Sequence, residues 1–580
     1  MNEVYLKNNN SLIEIQKKII KDDIILKIYA ELASPRIGGY KARPYDSELC
    51  LYEPPRASEI KAIWRWWMRA ILAGIYNGQK TYDELDREIG YVLGTTERTS
   101  YFTVIINTNN ELIRRVQERG KIIHKLITEI IPQVLTKFMQ EWDKKYFNIT
   151  ETKIVHINFI IPITIRFQLH EEKSFMKFKN ILADFKLDLH SREIRGKRKK
   201  KCKEYIVSLI NSQQILCIIN KLGVNNIECL QNMSQNEIKK IVSIYDELVE
   251  ISKIPRIRIL IQPRSNEGEN SKLTKETLNN KNKLNSLQQY LQRISEDLVI
   301  PIKEKMQVEI IVIKNRELND NILKFAVSSL FISLIMGGLG SITRRGFGSI
   351  QLIDVNINES YKEVLKEESR YLGQILNAET EESLKRIIIE FLMHAITMGK
   401  KAFKINNTNH PAMPKVPSVI PNSEYFKIEI IKCKENQNML DLLKLIGEAC
   451  LKTTWKKLLG IDIRSSGENL HTWILGLPRS AQNTGYFINS ERGRRSSAIN
   501  IKLFRNKKNQ FIIIYGFLSS DWPISNLIHK GKHHPAGKRV KNLNVRTLNR
   551  EIVEKENDET LLRIVFHSAF QFIIKKIKGG

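Results

Sequence analysis

The chain has 580 residues, 93 Lys and Arg against 63 Asp and Glu, a formal net charge of +30 and 42% apolar residues. That apolar share supports a buried core and excludes wholesale disorder, and at roughly 150 residues per domain the length predicts more than one core. The charge excess favours a polyanionic partner, most commonly nucleic acid. It disfavours a membrane partner, because neither a terminal basic amphipathic helix nor a lipidation signal is present.

In chain order, residues 24–33 alternate apolar and polar like a half-buried strand, and a Gly38-Gly39 loop follows. A helix is expected to start near Ser58, read as its N-cap after Pro54-Pro55, and to stop at Asn77-Gly78. Residues 101–107 read as strand and 120–147 as helix. Residues 154–169 read as strand, with Pro162 marking an edge or bulge. Residues 175–252 read as mainly helical, with a basic run at 195–201, and 264–283 as polar loop. A strand at 306–314, a helix at 319–336, a glycine-rich loop at 337–348 and a strand at 349–355 come next. Helical segments over 357–400 lead to a Pro-rich linker at 410–421, the expected domain boundary.

The second half repeats the plan: strand 425–432, helix 439–459, strands 498–505 and 511–518, helix 560–577. Strand–helix–strand–strand–helix twice over predicts an α+β chain of two ferredoxin-like (RRM-like) domains. The first is expected to span 1–405, with a largely helical insertion at about 110–300, and the second 406–580. The stretch 325–343 is too diluted by Ser, Thr and Gly to span a bilayer, and the polar start does not fit a signal peptide, so a cytoplasmic location is expected. Six Cys, at 50, 202, 217, 229, 433 and 450, form no CxxC pair, which argues for free thiols and against a zinc ribbon. The sequence shows no cofactor motif, and His529, His533 and His534 have no nearby carboxylate or Cys to complete a metal site.

The helix at 58–76 puts Ile60, Ile63, Trp64, Trp67 and Ile71 on one face, the period of a core. Lys61, Arg65 and Arg69 share the opposite face. Like charges at i,i+4 cost roughly 0.2–0.5 kcal/mol per pair, and the helix dipole disfavours cations in the N-terminal half. An anionic ligand would turn that cost into attraction, whereas a solvated basic face needs none. Trp66 lies at the border, placed either to pack or to stack a base. The loop Gly337-Gly338-Leu339-Gly340-Ser341-Ile342-Thr343-Arg344-Arg345-Gly346-Phe347-Gly348 is not a Walker loop, since it lacks Gly-Lys-Ser/Thr. Its glycines would let backbone N–H groups approach a phosphate, with charge from Arg344 and Arg345 and an aromatic face from Phe347. Arg492-Gly493-Arg494-Arg495-Ser496-Ser497 is a second phosphate-clamp candidate or a mobile basic loop, and Lys530 to Arg539 reads as a further basic loop with incidental histidines.

These motifs together resemble the RAMP superfamily of CRISPR-associated proteins. The evidence is Ser58-x-Ile60-Lys61-x-Ile63-x-Arg65-Trp66-Trp67-x-Arg69-Ala70, then Leu93-Gly94, then Gly338-Leu339-Gly340-Ser341-x-Thr343-Arg344-Arg345-Gly346-Phe347-Gly348. The tryptophan-rich helix and the Gly38-Gly39 loop look like the first-numbered subunit family of the Cmr (type III-B) effector complex. The match is close over about 24–110 and 300–355 and looser over Leu475 to Arg479 and Arg494 to Ser497.

The resemblance implies a non-catalytic subunit that contacts crRNA at its 3′ end, target RNA, or both, beside other Cmr subunits. The RNA-binding residues it points to are Arg36, Gly38, Gly39, Ser58, Lys61, Arg65, Trp66, Arg69, Arg98, Gly338, Gly340, Ser341, Arg344, Arg345, Gly346, Phe347, Gly348, Arg479, Arg494, Arg495 and Ser496. No catalytic residue is carried over. His124, His156 and His170 sit in apolar patterns, and His471 is a weak candidate general acid or base. The rival readings are a RAMP endoribonuclease that processes guide RNA and a structural adaptor that docks sister subunits.

Overall fold

The computed structural model describes residues 23–37, 43–170, 172–189, 203–263, 267–300, 306–406, 412–462, 470–477, 479–481, 484–489, 494–531, 534–540, 545–546, 552–553 and 557–579. The chain forms two compact units, one of residues 1–37, 54–110 and 301–580, the other of 38–53 and 111–300.

In the first unit, strands β1 (Ile24–Ala33), β2 (Phe102–Thr108), β3 (Met306–Lys314) and β4 (Ser349–Ile357) form one antiparallel sheet in the order β4-β1-β3-β2. Helices α1 (Ala57–Ile75) and α2 (Tyr82–Leu93) join β1 to β2, and α3 (Asp320–Met336) joins β3 to β4. This is a split βαβ plan, in which each crossover helix returns the chain to a non-adjacent strand. The helices bury their apolar faces on one side of the sheet. Trp64 is fully buried, packs on Phe102 at 5.1 Å and donates its indole N–H to Ala326 O and Ser329 Oγ, both at 3.0 Å. Helix α1 also buries Ile60, Trp67, Met68 and Ile71, as its period requires, while Ile63 is half-buried.

The N-cap of α1 lies earlier than expected. The cap is Arg56, whose N–H donates to the Glu59 carboxylate at 3.1 Å, and Ser58 is an exposed residue inside the helix.

After α4 (Lys366–Asn377) and α5 (Glu381–Phe403), a second sheet begins. Strands β5 (Phe426–Lys432), β6 (Ile499–Arg505) and β7 (Gln510–Phe517) pair in the order β5-β7-β6, with α6 (Met439–Ala449) after β5 and α7 (Asp558–Lys578) after β7. The first three strands and both helices thus keep the placement seen in the first sheet. Among the described residues no fourth strand joins β5. The stretch expected as a linker is packed rather than free: Val416, Ser418 and Val419 are buried, and Val419 N donates to Ala70 O of α1 at 2.8 Å. A further four-stranded sheet joins Arg479–Ala481, Thr484–Ile488, Leu527–Gly531 and His534–Arg539, the last two where a basic loop was expected.

The second unit mixes helix and sheet, so helix is not its whole content. Its larger sheet has four strands in the order Lys203–Ser208, Thr164–Leu169, Thr152–Asn158, Lys272–Leu273, and Tyr45–Asp46 pairs with Leu51–Tyr52 separately. The expected single strand at 154–169 is a hairpin with Pro162 in its turn. The polar stretch after 264 contains the start of an 18-residue helix, Lys281–Leu298. The run 195–201 lies outside the described residues. Trp142 anchors this unit's core against Phe138, Phe167 and Phe185. Among the described residues no helix is long and apolar enough to cross a membrane.

Candidate nucleic-acid interface

The basic face of α1 meets partners that the local pattern does not reveal. Arg69 donates to Asp86 Oδ1 of α2 through Nε at 2.9 Å and Nη2 at 2.6 Å, and its guanidinium lies 5.7 Å from the Tyr82 ring. Arg65 Nη2 donates to Leu93 O at 3.2 Å and Gly94 O at 2.6 Å. That places a cation on the carbonyls of the α2 C-terminus, where the dipole favours it. Arg65 and Arg69 therefore have partners within the chain itself. Lys61 differs, since it is half-buried and has no carboxylate partner among the described residues. Burial, then the nearby Arg65 charge, lowers its pKa below the usual lysine value.

A second set of cations converges from the C-terminal half. Arg495 Nη2 pairs with Asp521 Oδ1 at 2.6 Å, and Tyr82 OH donates to the other oxygen of that carboxylate at 2.9 Å. Burial and the Asp521 charge push the Tyr82 pKa up to about 12. The chain of contacts Arg69–Tyr82–Asp521–Arg495 joins α1 to the 494–497 segment. Arg494 and Ser496 are exposed on that segment, and Arg98 is exposed beside Tyr91 with its guanidinium 5.1 Å from the ring.

The glycine-rich loop folds back on its own chain. Gly340 (φ +86°) forms a bridge with Arg36, and a Cβ there would stand 2.4 Å from Arg36 O. Gly348 (φ +61°) would place a Cβ 1.9 Å from Leu339 O. These glycines are required by left-handed backbone and close approach. Ser341 N and Oγ donate to Arg36 O, and Arg36 Nη1 donates to Ser341 Oγ at 3.1 Å.

The loop's two arginines are also held internally. Arg344 Nη1 donates to Ser497 O at 2.6 Å, and burial lowers its pKa. Arg345 is buried and donates to Arg344 O, Ile499 O, Leu475 O and Ser497 Oγ. Gly346 N donates to Ile501 O at 3.0 Å. Phe347 is fully buried, and Trp66 packs edge-on against Trp67 and Phe517. Neither ring stands free as a stacking platform in this conformation.

What the loop still offers outward is main chain. The N–H groups of Ile342, Thr343 and Arg344 find no acceptor among the described residues, and Ile342 has φ +63°. Successive free N–H groups around a left-handed residue make a nest for an oxyanion.

Gly38 and Gly39 lie outside the described residues, and Arg479 opens the strand Arg479–Ala481 paired with Thr484–Ile488. The basic loop expected at 530–539 forms strands Leu527–Gly531 and His534–Arg539, with Lys538 and Arg539 exposed. Sequence reasoning missed Tyr82, Asp86, Asp521 and the buried Lys502. Lys502 carried no local signal either, because the alternation Ile499-Asn500-Ile501-Lys502-Leu503 reads as a strand with its lysine facing outward. No group of three or more His, Cys, Asp or Glu among the described residues is placed to hold a metal ion.

The model of the RAMP superfamily matches residues 56–351, more than half of the 580-residue chain. The chain belongs to the RAMP superfamily. The matched span runs from the first turn of α1 through the glycine-rich loop to the start of β4, so both motifs singled out in the sequence lie inside it. No curated protein sequence matches the chain. Its structure is similar to a chain of the type III-B Cmr-beta complex bound to cognate target RNA and AMPPnP (state 2, in the presence of ssDNA), with 14% identity and a TM-score of 0.45 over 96% of this chain and 100% of that one. It is also similar to apo Cmr1 from Pyrococcus furiosus, with 11% identity and a TM-score of 0.34 over 86% of this chain and 88% of the other.

Proposed function

We propose that this RAMP protein is an RNA-binding, non-catalytic subunit of a type III-B (Cmr) CRISPR effector complex, and that crRNA, target RNA or both cross the face formed by α1, the glycine-rich loop and the 494–497 segment. In this reading the two strand–helix repeats are two ferredoxin-like domains, 1–405 with an insertion at about 110–300 and 406–580. The observation that carries it is the position of the nest at Ile342 to Arg344, on the loop that Arg344 ties to the 494–497 segment and its exposed Arg494. Backbone donors and flexible cations together suit a phosphate chain and carry no demand for base identity.

Binding of single-stranded RNA should weaken with salt. The Lys61→Ala/Arg494→Ala protein should keep its melting temperature while the slope of log K against log[salt] falls by about 0.7 for each phosphate that is no longer neutralised. Filter binding over a salt series checks this, and an unchanged slope in a folded double variant would remove these residues from the interface. Asp86→Asn should act in the opposite sense. Freeing Arg69 from a half-exposed pair should cost less than about 1 kcal/mol in urea unfolding. The same change should tighten RNA binding and steepen the salt dependence.

A further inference from the structure

Lys502 lies on β6 in a place where a lysine is costly. It is 1% exposed, and its Nζ has no hydrogen-bond partner among the described residues. An amine removed from water without an acceptor is destabilising, and burial alone lowers its pKa well below the usual lysine value. Its position explains what such an amine could serve. The Nζ stands 3.0 Å from the point where a Cβ on Gly338 would be, and Thr343 Cβ and Gly348 O lie within 3.2 Å of that same point. The amine therefore fills the space that Gly338 leaves by having no side chain. Gly338, which lies against the amine, and the segment Gly340 to Arg344 are half-exposed. The unbonded N–H groups of Ile342, Thr343 and Arg344 belong to this same loop.

We propose that Lys502 is the cation of an oxyanion site at the glycine-rich loop, paired with a phosphate group held by the N–H groups of Ile342, Thr343 and Arg344. The loop supplies backbone N–H donors and β6 supplies the charge. The site takes a phosphate-class oxyanion, and under the function proposed above, on which this inference rests, that oxyanion belongs to the RNA backbone. An anion there gives the amine the acceptor it lacks, so the cost of burying it is recovered on binding.

The test uses the full-length protein, Lys502→Met, and Lys502→Gln as a neutral polar second variant. A lysine buried only by chance predicts that Lys502→Met melts higher and binds RNA as the native protein does. The oxyanion site predicts that Lys502→Met melts higher yet binds a single-stranded oligouridylate about tenfold more weakly, with a salt slope lower by about 0.7. Equal RNA affinity in a folded variant, Met or Gln, overturns the proposal. Inorganic phosphate separates this inference from the reading of function. If the native protein binds no RNA, the function reading fails by itself. The site then stands if millimolar phosphate raises the melting temperature of the native protein and not of Lys502→Met, and falls if both respond alike.

Discussion

Arg345→Ala is expected to destabilise the protein by about 3 kcal/mol or more in urea unfolding, well before any question of ligand binding arises. Arg345 is 9% exposed, and its guanidinium donates to Ile499 O at 3.1 Å, Leu475 O at 2.8 Å, Arg344 O at 2.8 Å and Ser497 Oγ at 3.3 Å. Truncation leaves the buried Leu475 O without this donor, at about 1–3 kcal/mol, takes one of two donors from Arg344 O, which keeps Ile501 N, and from Ile499 O, which keeps Ser497 Oγ, and opens a cavity the size of the side chain. Arg345→Lys keeps the charge, but a single ammonium cannot span acceptors that a planar fork reaches together, so it should restore a minor part of the stability. A melting curve for Arg345→Ala within about 1 kcal/mol of the native protein would show that these bonds add little. The prediction also changes how RNA-binding variants are chosen. Weaker binding in an Arg344→Ala/Arg345→Ala protein would report a loop that no longer docks on β6, whereas Lys61 and Arg494 can be removed without exposing unpaired carbonyls.

The elements that were legible are those whose information is local. The alternation at 24–33 and the 3.6-residue period of α1 state their own geometry, and the repeat of strand–helix–strand–strand–helix is visible because each copy keeps its own pattern. Pairings between distant residues were not legible. Asp86 lies 17 residues from Arg69 on another helix, and nothing in the stripe Lys61, Arg65, Arg69 announces it. The acceptors of Arg65, Arg344 and Arg345 are mostly main-chain carbonyls, which any residue type supplies and no sequence marks. Glycines are ambiguous for a related reason. A missing Cβ serves a phosphate, a left-handed turn or the chain's own carbonyl equally well, and the contacts of Gly340 and Gly348 assign those two to the chain itself. The helix Lys281–Leu298 was hidden by a polar N-terminal half, and the strands Leu527–Gly531 and His534–Arg539 by their Gly, Lys and His content.

Trp67→Ala is expected to cost about 3–5 kcal/mol, the range for removing a fully buried large aromatic. Trp67 is 1% exposed, and its ring lies 5.2 Å from Trp66, 5.3 Å from Tyr515 and 5.9 Å from Phe517. The two β7 aromatics make Trp67 the link between α1 and the second sheet, whereas Trp64 ties the same helix to α3 through Ala326 and Ser329. These two tryptophans sit about 60° apart around the helix axis, enough for each to face a different partner. If both repeats fold as one cooperative unit, Trp67→Ala should lower a single transition seen alike by fluorescence and circular dichroism. A double-mutant cycle with Phe517→Ala should return a coupling of about 0.5–1.5 kcal/mol, because edge-on aromatic pairs add that much beyond area burial. Two separated transitions would instead mean that the sheets unfold independently. The basic face of α1 would then not be held against the 494–497 segment by packing, and the Arg69–Tyr82–Asp521–Arg495 contacts would have to hold it alone.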